Sequence, residues 1–304
     1  MIKALAVRPD GAVVLRERTP TLADAGPEAV ISRIAACCAD LAARTSAATG
    51  SPPAALGLAV PGVVDEAAGV ARFAANIGWH DAPLGKLYRE RLGLPVAVVH
   101  DVRTAGLAER VLGAGRDSRD FLLVQIGTGI AGALVLDGRP YAGAHALGGE
   151  LGHVAVDPAG EPCGCGGRGC LETVASAAAV ARRYRQRTGS PGVTAAEVAE
   201  RAARGEAAAR QVWEEAVAGL AAALAWYQGV LDPDLIVLGG GLASAGAVLL
   251  DPLQRELGAR LTFQRMPRLA ASPLGEEAAC HGAAVAAWTL TGRPSEVSIA
   301  ASDR

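Results

Sequence analysis

The sequence predicts an α/β protein of two similar halves, each with strands, a loop and helices. Apolar runs of strand length at residues 55–60, 96–99, 121–126 and 235–238 alternate with stretches of helical periodicity. Glycine-bearing loops close several of these runs, at Pro61-Gly62, Gly127-Thr128-Gly129 and Gly239-Gly240-Gly241. Open α/β sheets bind ligands just beyond the carboxyl ends of their strands, which is where Asp101 stands.

Taken in order, residues 1–20 form a hairpin: a strand at 4–7, a turn at Pro9-Asp10-Gly11 and a return strand at 12–16. Residues 27–48 have helical spacing, with Val30, Ile34, Cys37, Cys38 and Leu41 on one face. The run 55–60 is a buried strand, and Asn76-Ile77-Gly78-Trp79 occupies a loop. A helix covers 83–92. The strand 96–99 then delivers His100 and Asp101 at its carboxyl end, and the next helix runs from Thr104 to Leu112. Gly113-Ala114-Gly115-Arg116 has the composition of a hinge. Strands at 121–126 and 131–136 flank Gly127-Thr128-Gly129, helices cover 174–187 and 194–229, and a buried strand at 235–238 leads into Gly239-Gly240-Gly241. The tail beyond Gly292 is expected to be disordered.

Of the 304 residues, 51% are hydrophobic and 20% charged, enough apolar material for a sizeable core and against intrinsic disorder. The net charge of −2 gives no electrostatic footprint for nucleic acid or an anionic membrane surface. No signal peptide is legible at Met1, and no apolar run has the length of a membrane span, so a cytoplasmic protein is expected. Cys37, Cys38 and Cys280 are expected to be buried as small hydrophobes.

The other three cysteines crowd into eight residues. His153-x9-Cys163-x-Cys165-x4-Cys170 offers one imidazole and three thiolates, the ligand number and chemistry of a tetrahedral zinc site. Intervening glycines give the backbone the freedom that tight chelation needs. Four protein ligands leave no open position, so the metal is expected to be structural.

Ala146-Leu147-Gly148-Gly149-Glu150-Leu151-Gly152-His153, followed by Cys163-Gly164-Cys165-Gly166-Gly167-Arg168-Gly169-Cys170-Leu171-Glu172, resembles the signature of the ROK family of sugar kinases and sugar-responsive repressors. The resemblance extends over about residues 4–290, through Gly57-Leu58-Ala59-Val60-Pro61-Gly62, Asn76-Ile77-Gly78-Trp79, Gly127-Thr128-Gly129-Ile130 and Gly239-Gly240-Gly241. It implies the actin-like ATPase (ribonuclease H-like) fold, two α/β domains with a cleft between them, and a homodimer. Residues 1–113 with 282–292 would make the smaller domain, 114–281 the larger one with the zinc loop, and 293–304 the disordered tail.

By the same resemblance, Asp101 matches the general base that accepts the proton of a hexose hydroxyl. Its position alone fits equally an N-cap for the helix expected at Thr104. Asn76, Glu150, His153 and Glu172 match sugar contacts, and His153 would serve zinc and sugar through different ring nitrogens. For Glu172 a charge at a helix N-terminus is the alternative role. Gly127, Thr128 and Gly129 resemble a phosphate loop, and Gly239, Gly240 and Gly241 a loop facing adenosine, which in isolation is equally a plain strand-to-helix turn.

Two departures stand out. His100 replaces the usual Asn before the base; imidazole can donate or accept, so sugar binding survives in principle. The Asp-x-Gly-Gly-Thr loop that grips the nucleotide and helps position magnesium does not occur in the sequence. Either the natural chain begins upstream, or ATP binding has been lost. Three functions follow: an ATP- and magnesium-dependent hexose kinase, a sugar-responsive regulator (with no DNA-binding segment within this sequence), or an inactive sugar-binding protein. The sequence does not select the hexose, nor ATP over polyphosphate as donor.

Overall fold

The computed structural model describes residues 1–74 and 76–292; the tail expected at 293–304 lies outside them. The chain divides into two compact units. Unit 1 comprises Met1–Leu112, Gly143–Leu147 and the chain from Glu277 onward; unit 2 comprises Gly113–Ala142 and Gly148–Glu276.

Unit 1 opens with β1 (Ile2–Val7) and β2 (Val13–Thr19), an antiparallel hairpin longer at its open end than the strands expected at 4–7 and 12–16. Helix α1 (Pro27–Thr49) starts on a proline at its first position, where a missing N–H costs nothing. Val30, Ile31, Ile34 and Leu41 are its buried residues; Cys37 and Cys38 are only half-buried, as is Cys280, so the expectation of buried thiols is corrected. Strand β3 (Leu56–Val60) is followed by an antiparallel meander that the periodicity does not announce: β4 (Val63–Asp65), β5 (Val70–Ala74) and β6 (Trp79–Ala82). Trp79 therefore belongs to a strand and not to the preceding loop, and its side chain is fully buried. After α2 (Leu84–Leu92), β7 (Val96–His100) pairs in parallel with β3. Helix α3 (Asp101–Val111) follows with no intervening loop, three residues earlier than expected. Val30, Ile34, Leu58, Val60, Val98 and Tyr88 join in the core of this unit, and the Tyr88 hydroxyl donates to the Ile31 carbonyl at 2.9 Å.

Unit 2 is built on one five-stranded sheet containing β8 (Phe121–Ile126), β9 (Ile130–Leu136), β10 (Arg139–Tyr141), β11 (Leu235–Gly239) and β12 (Arg268–Ala271), in the order β10-β9-β8-β11-β12. Strand β11 runs parallel to both its neighbours and is buried along its whole length, as its unbroken apolar sequence requires. The stretch expected as one helix at 174–187 is two, α4 (Leu171–Ala175) and α5 (Ala177–Thr188). Ser176 separates them, its hydroxyl accepting from Ala179 N–H as the cap of α5. Likewise 194–229 divides into α6 (Ala195–Ala203), opened by a Thr194/Glu197 capping box, and α7 (Ala207–Leu231). Helix α8 (Ala247–Gly258) completes the unit, whose core gathers Leu122, Val124 and Ile126 with Trp213, Leu220 and Leu224.

Helix α9 (Ala278–Leu290) then belongs whole to unit 1, packing on α3, β3, β7 and β1. In that unit β1 pairs with β2, and β3 with β7, as separate two-stranded sheets. Among the described residues no helix is long and apolar enough to cross a membrane.

Candidate active site and metal centre

In unit 1 the site grows from the direct passage of β7 into α3. Because the helix starts at Asp101, its N-cap is His100, whose Nδ1 accepts from Arg103 N–H at 3.3 Å. The capping role open to Asp101 thus falls to its neighbour. Asp101 is the first helical residue, its side chain 37% exposed and Oδ1 accepting from Val102 N–H at 2.7 Å. The exposed amides and dipole of a helix N-terminus stabilise a carboxylate held there. A reachable, ionised carboxylate beyond a strand end can accept a proton.

Two residues that the sequence reading missed support this turn. Arg103, 5% exposed, donates to Glu66 Oε1 at 2.8 Å and to the Ala146 carbonyl at 3.1 Å. Glu66 Oε1 also accepts from His100 N–H at 3.2 Å. The signal was present in part: an arginine amid the buried positions of α3 must find partners. Its partners come from residues 66 and 146, which no local pattern connects. Burial and the Arg103 charge push the His100 pKa down to about 4. Asn76 is exposed on the turn between β5 and β6.

In unit 2, Gly127, Thr128 and Gly129 form the bend between β8 and β9. The break between α4 and α5 holds this loop from two sides. Ala177 N–H donates to the Gly127 carbonyl at 2.8 Å, and Glu172 Oε2 accepts from Ile130 N–H at 2.9 Å. A Cβ at position 129 would collide with Glu172 Oε2. Glu172 is therefore at the beginning of a helix, as its alternative role supposes, and one carboxylate oxygen, Oε2, is bonded to the loop.

Gly239 ends β11, and Gly240 turns the chain with φ 80°, where a Cβ would also run into the Ile126 backbone. Gly241 from this loop, with residues of α6 and α8, lines a half-open cavity of about 470 Å³, flanked by Ala199, Glu200, Arg204, Leu242 and Ser244. Such a volume suits a small-molecule site.

The cysteine cluster also assembles in unit 2. The ligand atoms of His153, Cys163, Cys165 and Cys170 all lie within 4.8 Å of one another. His153 Nδ1 is 3.6 Å from Cys163 Sγ, and Cys165 Sγ is 3.7 Å from Cys170 Sγ. Tetrahedral zinc with ordinary bond lengths separates nitrogen from sulfur by about 3.6 Å and sulfur from sulfur by about 3.8 Å, so the donor set fits that ion. Burial and neighbouring sulfurs push Cys170 up to about 12, whereas Gly167 N–H, donating at 3.4 Å, and the other thiols pull Cys165 down. Three thiols this close become thiolates together only with a cation among them. The loop is braced by Glu161, which pairs with Arg182 at 2.7 Å and Arg183 at 3.2 Å. With Nδ1 turned to the sulfurs, His153 Nε2 lies 3.9 Å from Glu150 Oε2, and both side chains are accessible.

The ROK family pattern matches residues 1–289. The glucokinase of Thermotoga maritima is 34% identical over 294 residues, 91% of this chain and 91% of its own. The crystal structure of a ROK family glucokinase from Streptomyces griseus in complex with glucose and AMPPNP superposes with a TM-score of 0.79 at 28% identity, covering 93% of this chain and 94% of that one. The DNA-binding transcriptional dual regulator NagC of Escherichia coli is 31% identical over 208 residues, 66% of this chain and 51% of its own length.

Proposed function

Because the chain belongs to the ROK family and has the actin-like ATPase fold of its sugar kinases, we propose that it is an ATP-dependent hexose kinase with Asp101 as general base. The observation that carries this reading is the Asp101 carboxylate, accessible and backed by a helix N-terminus where β7 ends. A hexose hydroxyl gives its proton to that carboxylate as its oxygen attacks the γ-phosphorus in line. The bond to the β-phosphate oxygen breaks, and ADP leaves with the electron pair. By the family resemblance, Asn76, His100, Glu150, His153 and Glu172 are the hexose ligands. Carboxylate, amide and imidazole groups suit paired sugar hydroxyls.

Thr128 and the amides of the Gly127–Gly129 bend take phosphate oxygens, the Gly239–Gly241 cavity takes the adenosine, and magnesium enters with ATP. Zinc would be held by His153, Cys163, Cys165 and Cys170 and would supply structural order. It would also orient His153, whose Nδ1 would serve the metal and whose Nε2 would be left for sugar.

The test is sugar-dependent ADP release with magnesium and ATP over a hexose panel. Turnover stimulated by one hexose and abolished by Asp101→Asn is the expected result. The likeness to NagC favours a second reading, a sugar-responsive regulator. Hexose binding by a folded, zinc-loaded chain that never turns over would support that reading, or an inactive sugar-binding protein, and would sink the kinase.

A further inference from the structure

A backbone amide has one proton and can only donate. Arg103 N–H therefore fixes His100 Nδ1 as an acceptor, at 3.3 Å. A neutral imidazole whose Nδ1 accepts must carry its proton on Nε2. Two features keep this ring neutral. Its side chain is 12% exposed, and the buried Arg103 guanidinium, tied to Glu66 at 2.8 Å, adds an unfavourable charge nearby, so its pKa falls to about 4. The nearest carboxylate, Asp101, approaches Nδ1 at 3.7 Å and not Nε2. No protein acceptor for Nε2–H is recorded among the described residues, and the atom is not among the buried polar atoms left unsatisfied.

We infer that His100 is a specificity-determining residue that faces the substrate as a hydrogen-bond donor only, selecting an oxygen with a free lone pair at one position of the sugar. This rests on the reading in which His100 lines the hexose site. A hydroxyl or an acylamino carbonyl satisfies Nε2–H. A protonated amine does not, because N–H would face N–H with nothing to accept. An ammonium group is thus excluded at that one position, where the substrate carries a hydroxyl or an acylamino group. Asn76, an amide, both donates and accepts, and Glu150, a carboxylate, only accepts, so neither excludes an ammonium group.

Calorimetric binding of deoxy, deoxyfluoro and amino analogues, substituted at each ring position in turn, tests this. Fluorine accepts weakly and cannot donate; hydrogen does neither. At one position the deoxyfluoro sugar should bind within about threefold of the parent, while the deoxy and ammonium analogues lose about tenfold or more, the scale of one unmet hydrogen bond. His100→Asp keeps a capping oxygen for Arg103 N–H but presents an acceptor in place of the donor. It should reverse the order at that position alone, the ammonium analogue gaining on the fluoro one. Nitrogen-15 spectra of the imidazole provide a reading independent of activity: a neutral Nε2–H tautomer at neutral pH is expected. An Nδ1–H tautomer or an imidazolium there overturns the inference, as does an unaltered analogue order in His100→Asp. If hexoses are phosphorylated and that order is unaltered, this inference alone falls. If the wild type binds no hexose, the kinase reading falls with it.

Discussion

Gly129→Ala probes the coupling between the proposed phosphate loop and Glu172. A Cβ at this position collides with Glu172 Oε2, so the carboxylate must swing away or the bend must shift. Either movement breaks the 2.9 Å bond from Ile130 N–H, a hydrogen bond to a charged group worth about 1.5–3 kcal/mol when buried. Glu172 is half-buried, so the lower end applies. At 1.4 kcal/mol per tenfold, the KM for ATP should rise about tenfold. Hexose KM should rise as well where the carboxylate is what moves, because Glu172 is also a proposed hexose ligand. The companion variant Glu172→Gln keeps an oxygen that accepts from Ile130 N–H. Its ATP KM should stay within about threefold of wild type while its hexose KM rises, since a neutral amide replaces the charged acceptor. Both constants come from one ADP-release assay. A Gly129→Ala enzyme with wild-type ATP KM would refute the reasoning, and so would a Glu172→Gln enzyme whose nucleotide defect matched it.

Two further outcomes follow from the metal centre and from His100. The purified chain should carry about one zinc per protein by elemental analysis, and Cys165→Ser should lose it, since structural sites rely on four ligands; a variant retaining a full equivalent would place the metal elsewhere. His100 has a folded-state pKa of about 4 against an unfolded value of about 6.5, so between those values the unfolded chain binds the extra proton. Its contribution to stability is complete above about pH 6.5 and is lost as pH falls towards about 4. Chemical denaturation of wild type and His100→Asn should therefore converge on acidification through that window, and curves that stay parallel would contradict a buried neutral ring.

How much of this was legible in the sequence varied with the range of the interaction. The His153, Cys163, Cys165 and Cys170 set is local, and soft ligands at short spacing across glycines announce a chelate before any fold is known. The long apolar runs of β8 and β11 were equally plain, because a strand covered on both faces has no polar alternation to disguise it. The meander β4–β6 was not. Its strands are three to five residues long, and positions such as Phe73 and His80 are exposed, so no clean period survives. The split at Ser176 was readable in principle from a serine before an alanine run, yet an unbroken helical period outweighed it.

The α/β class, the candidate metal ligands and the loops at the strand ends could be read from residues close together along the chain, and Asp101 as candidate base from the family resemblance. What those residues are bonded to could be read only from the folded chain. It made His100, not Asp101, the helix cap; it brought Glu66 and Ala146 to Arg103; and it committed Glu172 to Ile130. Those partners are separated by 37 to 43 residues in the chain. Side-chain spacing along a helix or strand reports which face a residue occupies. The donor or acceptor that waits there is supplied by another segment, and becomes known only when folding has packed the two together.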